Sequence, residues 1–213
     1  MNHRHFSLGF TSHDPGLSNE EYDALSSRTL DVFVRATADA FITRPNGDIL
    51  LGFRTEEPCG NQWWYIGGRM KTGESQVAAV VRNLTRETGM VFAPERFEPL
   101  GGYSLAWPVR KQPPQENGCH DSSNLFLLEL TDEEAKKIRL NSRDFAGQRW
   151  YSPDQILTGN FVNPLKAAVL DVRALVYKKH LFRAIDTGED WMTIASAAHR
   201  MREAEAAAKS LET

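Results

Sequence analysis

The amino-acid sequence predicts an α/β/α sandwich with a mixed central sheet, followed by a C-terminal helical extension. Three patterns support this fold class: strand–turn–strand over residues 29–51, strand–loop–helix over 63–88, and two helical segments after residue 163. Helices and strands in this order bury their apolar faces against one another in a single core. The 213 residues suit one main domain, which we place at 18–182, with an irregular arm at 1–17 and the extension at 183–213.

Capping and turn residues indicate the first elements. Ser18-Asn19-Glu20-Glu21 has the spacing of a capping box and predicts a short helix through Leu25. The β-branched and aromatic residues over 29–43 predict a strand. Pro45-Asn46-Gly47-Asp48 predicts a tight turn into a second strand at 49–51.

The middle of the chain predicts a strand, a loop and a helix. Trp63-Trp64-Tyr65-Ile66 forms the strand, which we expect the Gly67-Gly68 pair to break in a turn, and a helix should begin near Ser75. The helix face that should meet the sheet carries Val77, Val81, Leu84 and Thr88. The face that should stay free for function carries Gln76, Val80, Asn83 and Glu87.

The rest of the chain predicts three more strands and two helices. The strands lie at 97–105, 125–130 and 148–151, and the polar loop 108–118 should stay outside the core and border a binding site. An amphipathic helix over 163–180 should turn four residues inward: Leu165, Val169, Val172 and Val176. The alanine-rich helix at 192–207 is an appendage that we expect to pack against another subunit in a homodimer.

Composition excludes several classes of function. The formal net charge is −3 with no basic stripe, which argues against a polynucleotide partner and leaves a small phosphorylated ligand held by local arginines. Cys59 and Cys119 are far apart and predict neither a disulfide framework nor a zinc site. The polar N-terminus and the lack of a long apolar run predict a cytoplasmic protein without a membrane segment.

One segment carries a specific motif. From Gly68 the sequence runs G-x5-E-x7-R-N-L-x-R-E-x-G-M, with Glu74, Arg82, Glu87 and Gly89 at fixed offsets. It resembles the Nudix box, G-x5-E-x7-R-E-U-x-E-E-x-G-U, where U is aliphatic. The resemblance implies a Nudix-type fold. It also directs Glu87 toward a bare glycine carbonyl, an oxygen pair suited to Mg²⁺ or Mn²⁺.

Two positions depart from the box, because Asn83 and Arg86 stand where the family has glutamates. Fewer carboxylates neutralise fewer cations, so we expect one metal ion rather than a cluster. The GDP-mannose mannosyl hydrolases share these two losses, and the chain resembles that subgroup at further landmarks. These are Leu50–Thr55, Trp64–Arg69, Arg82–Thr85 and Arg149-Trp150.

The resemblance assigns roles by position. Gly67 and Glu87 would be metal ligands, and the guanidinium groups of three residues would hold the diphosphate through paired hydrogen bonds. The three are Arg54, Arg69 and Arg82. Asp144 replaces a metal-binding glutamine of the subgroup and keeps the ligand role.

The general base stays open. The subgroup's basic histidine lies five residues before the tryptophan, where this chain has Phe145. Asp144, Glu74 and His120 are the nearest candidates.

Three functions follow from the resemblance. The first is Mg²⁺-dependent hydrolysis of a nucleoside diphosphate linked to another group, above all a nucleotide sugar such as GDP-mannose, with one of Trp63 and Trp64 stacking on the base. The second is a pyrophosphohydrolase that attacks phosphorus of a nucleotide sugar, dinucleotide or nucleoside triphosphate. The third is a catalytically silent nucleotide sensor or interaction protein, which Asn83, Arg86 and Phe145 favour.

Overall fold

The computed structural model describes residues 17–141 and 143–212, except for the side chain of Asn19. The predicted arm at 1–17 therefore lies outside the described residues, apart from Leu17. The chain divides into two compact units, one through Trp150 and one from Tyr151 onward. This division falls upstream of the predicted boundary at 182/183, and the limits of the functional domain stay a prediction.

The first unit contains most of the sheet and three helices. Its elements are α1 (Asn19–Thr29), β1 (Arg35–Thr43), β2 (Ile49–Arg54), β3 (Trp63–Trp64), β4 (Ile66–Arg69), α2 (Gln76–Thr88), β5 (Glu98–Trp107), β6 (Cys119–Glu129), α3 (Asp132–Lys137) and β7 (Phe145–Tyr151), whose last residue opens the second unit. Short 3-10 turns at Pro94–Arg96 and Gln115–Asn117 lie in the connections.

Strand β1 is the centre of a mixed sheet. It pairs in parallel with β6 and antiparallel with β2 and β4. Strand β5 pairs antiparallel with β6, while β3 and β7 pair with β2. The predicted fold class, a mixed α/β fold with C-terminal helices, is confirmed.

Helix α2 packs on this sheet through the predicted face and through part of the face that was expected to stay free. On the predicted face Leu84 is buried, and Val77 and Val81 are partly buried and pack against the core. The prediction that the other face stays free is wrong, because Val80, Asn83 and Glu87 are buried and the two polar side chains have hydrogen-bond partners. The Asn83 amide donates to the Gly68 carbonyl at 2.8 Å and to the Ala38 carbonyl at 3.2 Å.

The Gly67-Gly68 pair does not form a turn. Both glycines lie in β4, where Gly67 is paired with Asp39 of β1. A Cβ on Gly67 would lie 2.1 Å from Asp39 Oδ1, so glycine is required by close approach to the neighbouring strand. The break in the strand falls two residues before Gly67, at Tyr65, whose side chain is fully buried.

Local capping and turn predictions are confirmed. The Ser18 amide donates to Glu21 Oε2 at 2.9 Å, and helix α1 continues past Leu25 to Thr29. Strand β1 therefore begins at Arg35, later than predicted. Gly47 has φ +84° in the turn between β1 and β2, a conformation that favours glycine.

The sequence predicted that the polar loop at 108–118 stays outside the core, but part of the loop is buried. Arg110 is fully buried there. It pairs with Asp31 at 2.7 Å and donates to the carbonyls of Ser27 at 2.8 Å and Gly118 at 3.1 Å. Because each nitrogen of the guanidinium donates to an acceptor, the loop is anchored to the end of α1 and to the segment after it.

The second unit is helical after the end of β7. It contains α4 (Pro153–Thr158), α5 (Asn163–Asp186) and α6 (Trp191–Lys209), and α5 and α6 pack on each other. Of the residues predicted to point inward, Leu165 and Val169 are buried and Val176 is exposed. No helix within 17–141 and 143–212 is long and apolar enough to cross a membrane.

Candidate active site

A cavity of about 370 Å³ opens in the first unit, and every strand of the sheet contributes to its wall. Its lining combines basic, acidic and aromatic side chains. The arginines are Arg35, Arg54, Arg69, Arg86 and Arg143; the acids include Asp39, Glu87, Asp121 and Asp144; the large rings are Tyr22, Trp64, Trp107 and Phe145. A pocket with several guanidinium groups beside indole rings suits a ligand that joins phosphate groups to an aromatic base.

Five of the seven site residues predicted from the sequence line this cavity. They are Arg54, Gly67, Arg69, Glu87 and Asp144. The guanidinium of Arg69 stacks 3.2 Å from the centre of the Tyr22 ring, which fixes its plane. Phe145, at the position of the subgroup's histidine, also lines the cavity.

Glu74 and Arg82 are not brought into the lining. They pair with each other, with Arg82 Nη2 2.7 Å from Glu74 Oε2. Arg82 also donates to the Arg69 carbonyl at 3.0 Å, and Glu74 accepts from the Lys71 amide at 2.7 Å. Burial opposes ionisation of Glu74, but these hydrogen bonds prevail and lower its pKa. The pair thus holds the loop between β4 and α2.

His120, the third candidate for the base, lies outside the lining. Its side chain is exposed, and Nε2 lies 2.7 Å from Ser104 Oγ. Among the sequence-derived candidates for the base, only Asp144 lines the cavity.

Glu87 is the single acidic residue of α2, and 2 % of its surface is exposed. Its Oε1 accepts from Arg86 Nε at 2.8 Å, and its Oε2 accepts from the side-chain amide of Asn141. Burial raises the pKa of Glu87, and the nearby charge of Asp144 adds to the rise, while Arg86 and Asn141 oppose it. Glu87 is therefore a buried carboxylate whose two oxygens already have donors.

The described side chains do not fit the metal site that the resemblance implies. Magnesium prefers an octahedral set of oxygen ligands, commonly one or two carboxylates. Both Glu87 oxygens are bonded to Arg86 and Asn141. No group of three or more His, Cys, Asp or Glu residues in the described part of the chain is placed to hold a metal ion. Gly67, Glu87 and Asp144 line the same cavity, but the donors that now hold the Glu87 carboxylate would have to give way before it could bind an ion.

Asp39 is a site residue that the sequence reasoning missed. It is buried on β1 and accepts from Thr37 Oγ1 at 2.7 Å and from Ser123 Oγ at 2.6 Å. Burial raises its pKa to about 6, although the two hydroxyl groups oppose the rise. A carboxyl group that titrates near neutrality can exchange a proton with a ligand. The signal was a lone acid inside the apolar run Ala38–Ile42.

Arg35 and Asp121 form a second part of the wall that the sequence did not reveal. Their side chains make two hydrogen bonds, at 2.8 and 2.9 Å, and Trp107 Nε1 donates to the same carboxylate at 3.0 Å. Trp107 meets Trp64 edge to face, with ring centres 5.3 Å apart. The parallel register of β1 and β6 places Arg35 beside Asp121, and the antiparallel pairing of β5 with β6 adds Trp107, so no local pattern could have indicated them.

The fold is a mixed sheet with α2 packed across it. Its cavity is lined by Gly68, the first residue of the Gly-x5-Glu-x7-Arg segment, and by several arginines. These features define a domain of the Nudix hydrolase type. The family model described as "NUDIX domain" matches residues 34–172. This is more than half of the chain, which therefore belongs to the NUDIX domain family. Members of this family generally use divalent metals such as Mg²⁺. The match continues into the second unit, across the division at 150/151.

Individual relatives agree with this family. "Putative nudix hydrolase 1" of Caenorhabditis elegans is 28 % identical over 127 residues, which is 53 % of this chain and 33 % of that protein. The chain thus spans about a third of the length of this relative.

Two solved structures share the fold. The MutT NUDIX hydrolase of Burkholderia pseudomallei has a TM-score of 0.54 at 22 % identity, covering 66 % of this chain and 98 % of its own. The NUDIX domain of Shewanella oneidensis NrtR, complexed with ADP ribose, has a TM-score of 0.53 at 15 % identity, covering 75 % and 99 %. At these identities the likeness concerns the fold alone.

Proposed function

We propose that this chain hydrolyses a nucleoside diphosphate linked to another group, with a nucleotide sugar such as GDP-mannose as the expected substrate. The observation that carries the proposal is the joint lining of one cavity by Arg54, Arg69, Trp64 and Trp107. Guanidinium groups bind phosphate oxygens, and indole rings stack on bases. The volume of about 370 Å³ lies in the range of small-ligand pockets.

Arg54 gives the strongest support for an anionic ligand. Its Nε is buried and has no hydrogen-bond partner among the described residues. An unsatisfied buried donor destabilises a protein by roughly 1–3 kcal/mol, so such groups usually have a reason to persist. A phosphate oxygen in the cavity would accept this hydrogen bond.

The chemistry of the chain's own residues centres on the leaving group. Arg54 and Arg69 would stabilise the negative charge that develops on a departing nucleoside diphosphate. The preferred route is attack of water at the sugar carbon, which releases the intact nucleoside diphosphate. The base is then Asp144 or Asp39, since both line the cavity whereas Glu74 and His120 do not.

The sequence predicts a Mg²⁺ requirement, which the turnover screen tests directly. No step is assigned to the ion, because both oxygens of the Glu87 carboxylate accept from protein donors. The same observation favours a second candidate, a catalytically silent domain that binds a nucleotide. That the NrtR domain of this fold was solved with ADP ribose, a nucleoside diphosphate joined to a sugar, is compatible with either function.

A turnover screen tests the proposal. The full chain would be incubated with GDP-mannose, ADP-ribose, a diadenosine polyphosphate and GTP, each with Mg²⁺, with Mn²⁺ and with EDTA, and the products would be separated by anion-exchange chromatography. Release of GDP and free mannose supports the preferred reaction. Binding by calorimetry without turnover of any compound would establish the silent alternative instead.

Hydrolysis in ¹⁸O-labelled water separates the two catalytic routes. Label in the free sugar indicates attack at carbon. Label in a nucleoside monophosphate or sugar phosphate indicates attack at phosphorus and would overturn the preferred route while leaving a hydrolase.

A further inference from the structure

Arg86 occupies the gap between helix α2 and strand β4. Its Nε donates to Glu87 Oε1 at 2.8 Å, and its Nη2 makes a second contact with the same oxygen. The same Nη2 lies 3.1 Å from the point where a Cβ on Gly68 would stand. The guanidinium therefore lies between the Glu87 carboxylate and Gly68 of β4. The resemblance to the Nudix box places a metal ion between Glu87 and the adjacent glycine, Gly67.

We infer that the Arg86 guanidinium is a resident cation that takes the place of a divalent metal at Glu87, so that this site binds a diphosphate group through arginines without a metal ion. The inference about the metal does not depend on the proposed reaction. The statement about diphosphate rests on the substrate class proposed above.

The first argument is the charge around Glu87. The carboxylate carries one negative charge, and the paired guanidinium cancels it. Asn141 supplies a donor to the remaining oxygen. A divalent ion approaching Glu87 would have to displace both donors and would meet a carboxylate whose charge is already balanced by Arg86, which lowers its affinity; the nearby charge of Asp144 acts in the opposite direction.

The second argument is the neighbouring position, where the Nudix box has a glutamate and this chain has Asn83. Its Oδ1 accepts from Arg82 at 2.8 Å and lies 3.4 Å from Arg86 Nη1. Its amide nitrogen is bonded to strand carbonyls. A neutral amide thus supports the guanidinium and is already saturated with protein partners. Asn83 and Arg86, the two departures from the Nudix box, therefore belong to one arrangement, in which Asn83 contacts the guanidinium that pairs with Glu87.

The third argument is access. The Arg86 side chain is 48 % exposed, and the residue lines the cavity together with Arg54 and Arg69. A guanidinium has five N–H donors, and those of Arg86 not used on Glu87 can reach a ligand. A ligand with two negative charges would be neutralised by Arg54 and Arg69, while Arg86, whose charge is balanced by Glu87, would add hydrogen bonds.

Metal binding tests the inference directly. Mn²⁺ would be titrated into the full chain, into Arg86→Glu and into Arg86→Gln, and free Mn²⁺ would be followed by its electron paramagnetic resonance signal. We expect Arg86→Glu to bind Mn²⁺ at least about tenfold more tightly than the wild type, because a second carboxylate joins Glu87. Arg143→Gln removes the same charge from the cavity lining and should change the affinity less than about twofold.

Ligand binding supplies the second measurement. Calorimetry with GDP in EDTA should show binding to the wild type, a loss of at least about tenfold in Arg86→Glu, and recovery of that variant when Mn²⁺ is added. Arg86→Gln should also weaken binding in EDTA, and because it adds no negative charge it carries the test if the glutamate variant is unstable. Tight Mn²⁺ binding by the wild type, equal to that of Arg86→Glu, would overturn the inference. So would GDP binding that requires a metal. Absence of hydrolysis leaves both measurements unaffected, so failure of the proposed function is distinguishable.

Discussion

The motif segment contains two glutamate–arginine pairs in different surroundings. Glu74 and Arg82 lie outside the cavity lining, and their hydrogen bonds join the loop before α2 to the helix. Glu87 and Arg86 line the cavity, with the carboxylate buried and the guanidinium half exposed. The pKa of Glu74 is lowered and that of Glu87 is raised although each carboxylate is paired with an arginine, so the depth of burial decides the direction of the shift.

The strongest test of the difference between the two pairs is to replace each glutamate in turn by the neutral glutamine. We expect Glu87→Gln to reduce kcat at least about 100-fold, because Arg86 loses the charge that positions it over β4. Glu74→Gln should change kcat much less and lower thermal stability instead. Steady-state kinetics and thermal unfolding of both variants provide the check. Near-normal turnover in Glu87→Gln would remove the buried pair from the mechanism.

The next largest loss of activity is expected for the cavity arginines that lie outside the two glutamate–arginine pairs. Arg54→Ala should lower kcat/KM by about 100-fold, since its buried Nε is the donor best placed to meet charge in the cavity. Arg69→Ala should act in the same direction. Arg200→Ala in α6 is the control and should leave kcat/KM unchanged. Equal effects of all three substitutions would show that the assignment of a diphosphate clamp is wrong.

Asp39 extends the comparison to a buried carboxyl group whose hydrogen bonds come from hydroxyl groups. Its pKa of about 6 in the folded state exceeds the ordinary value of 3.8. Between pH 4 and 6 the folded state keeps a proton that the unfolded state releases, so Asp39 lowers stability as pH rises through this window, by roughly 2–3 kcal/mol in total. Asp39→Asn should lack that decline.

Urea unfolding of the wild type and Asp39→Asn at several pH values measures this difference directly. Subtracting the two curves cancels the other titrating groups. A difference that does not change between pH 4 and 7 would show that Asp39 has an ordinary pKa.

The smallest expected effect belongs to the pair outside the cavity. Arg82→Ala should reduce the free energy of unfolding by about 1–2 kcal/mol, because it removes charged hydrogen bonds that are partly exposed to solvent. A double-mutant cycle with Glu74→Gln isolates the pair. If Arg82→Ala instead abolishes turnover with unchanged stability, the phosphate role predicted from the motif is restored.

Sequence reasoning succeeded where the determining interactions are local. The capping box at Ser18 and Glu21 and the turn at Gly47 depend on residues within a few positions, and both were predicted. It failed at Gly67-Gly68, because the requirement for glycine comes from Asp39 on another strand. The motif likewise located Glu87 but did not show that Arg86 and Asn141 occupy its carboxylate.

The prediction that one face of α2 stays free was wrong for a related reason. Helical periodicity ranks residues by apolarity, and it assigned Asn83 and Glu87 to the free side. Their polar groups are satisfied by strand carbonyls, Arg86 and Asn141, so they tolerate burial. A buried polar network of this kind is visible only when the partners are known.

The parallel pairing of β1 with β6 has a kinetic consequence. The hydroxyl of Ser123 reaches the Asp39 carboxylate across 84 positions of the chain, and Arg35 reaches Asp121 across 86. Closing a loop of this length loses chain entropy before any contact compensates for it, and contacts distant in sequence slow folding. Helix α2 and the β1–β2 hairpin can form early from neighbouring residues, but this part of the cavity wall cannot form until β6 is available. During synthesis, the residues that would bind a ligand are assembled only after β6 has left the ribosome.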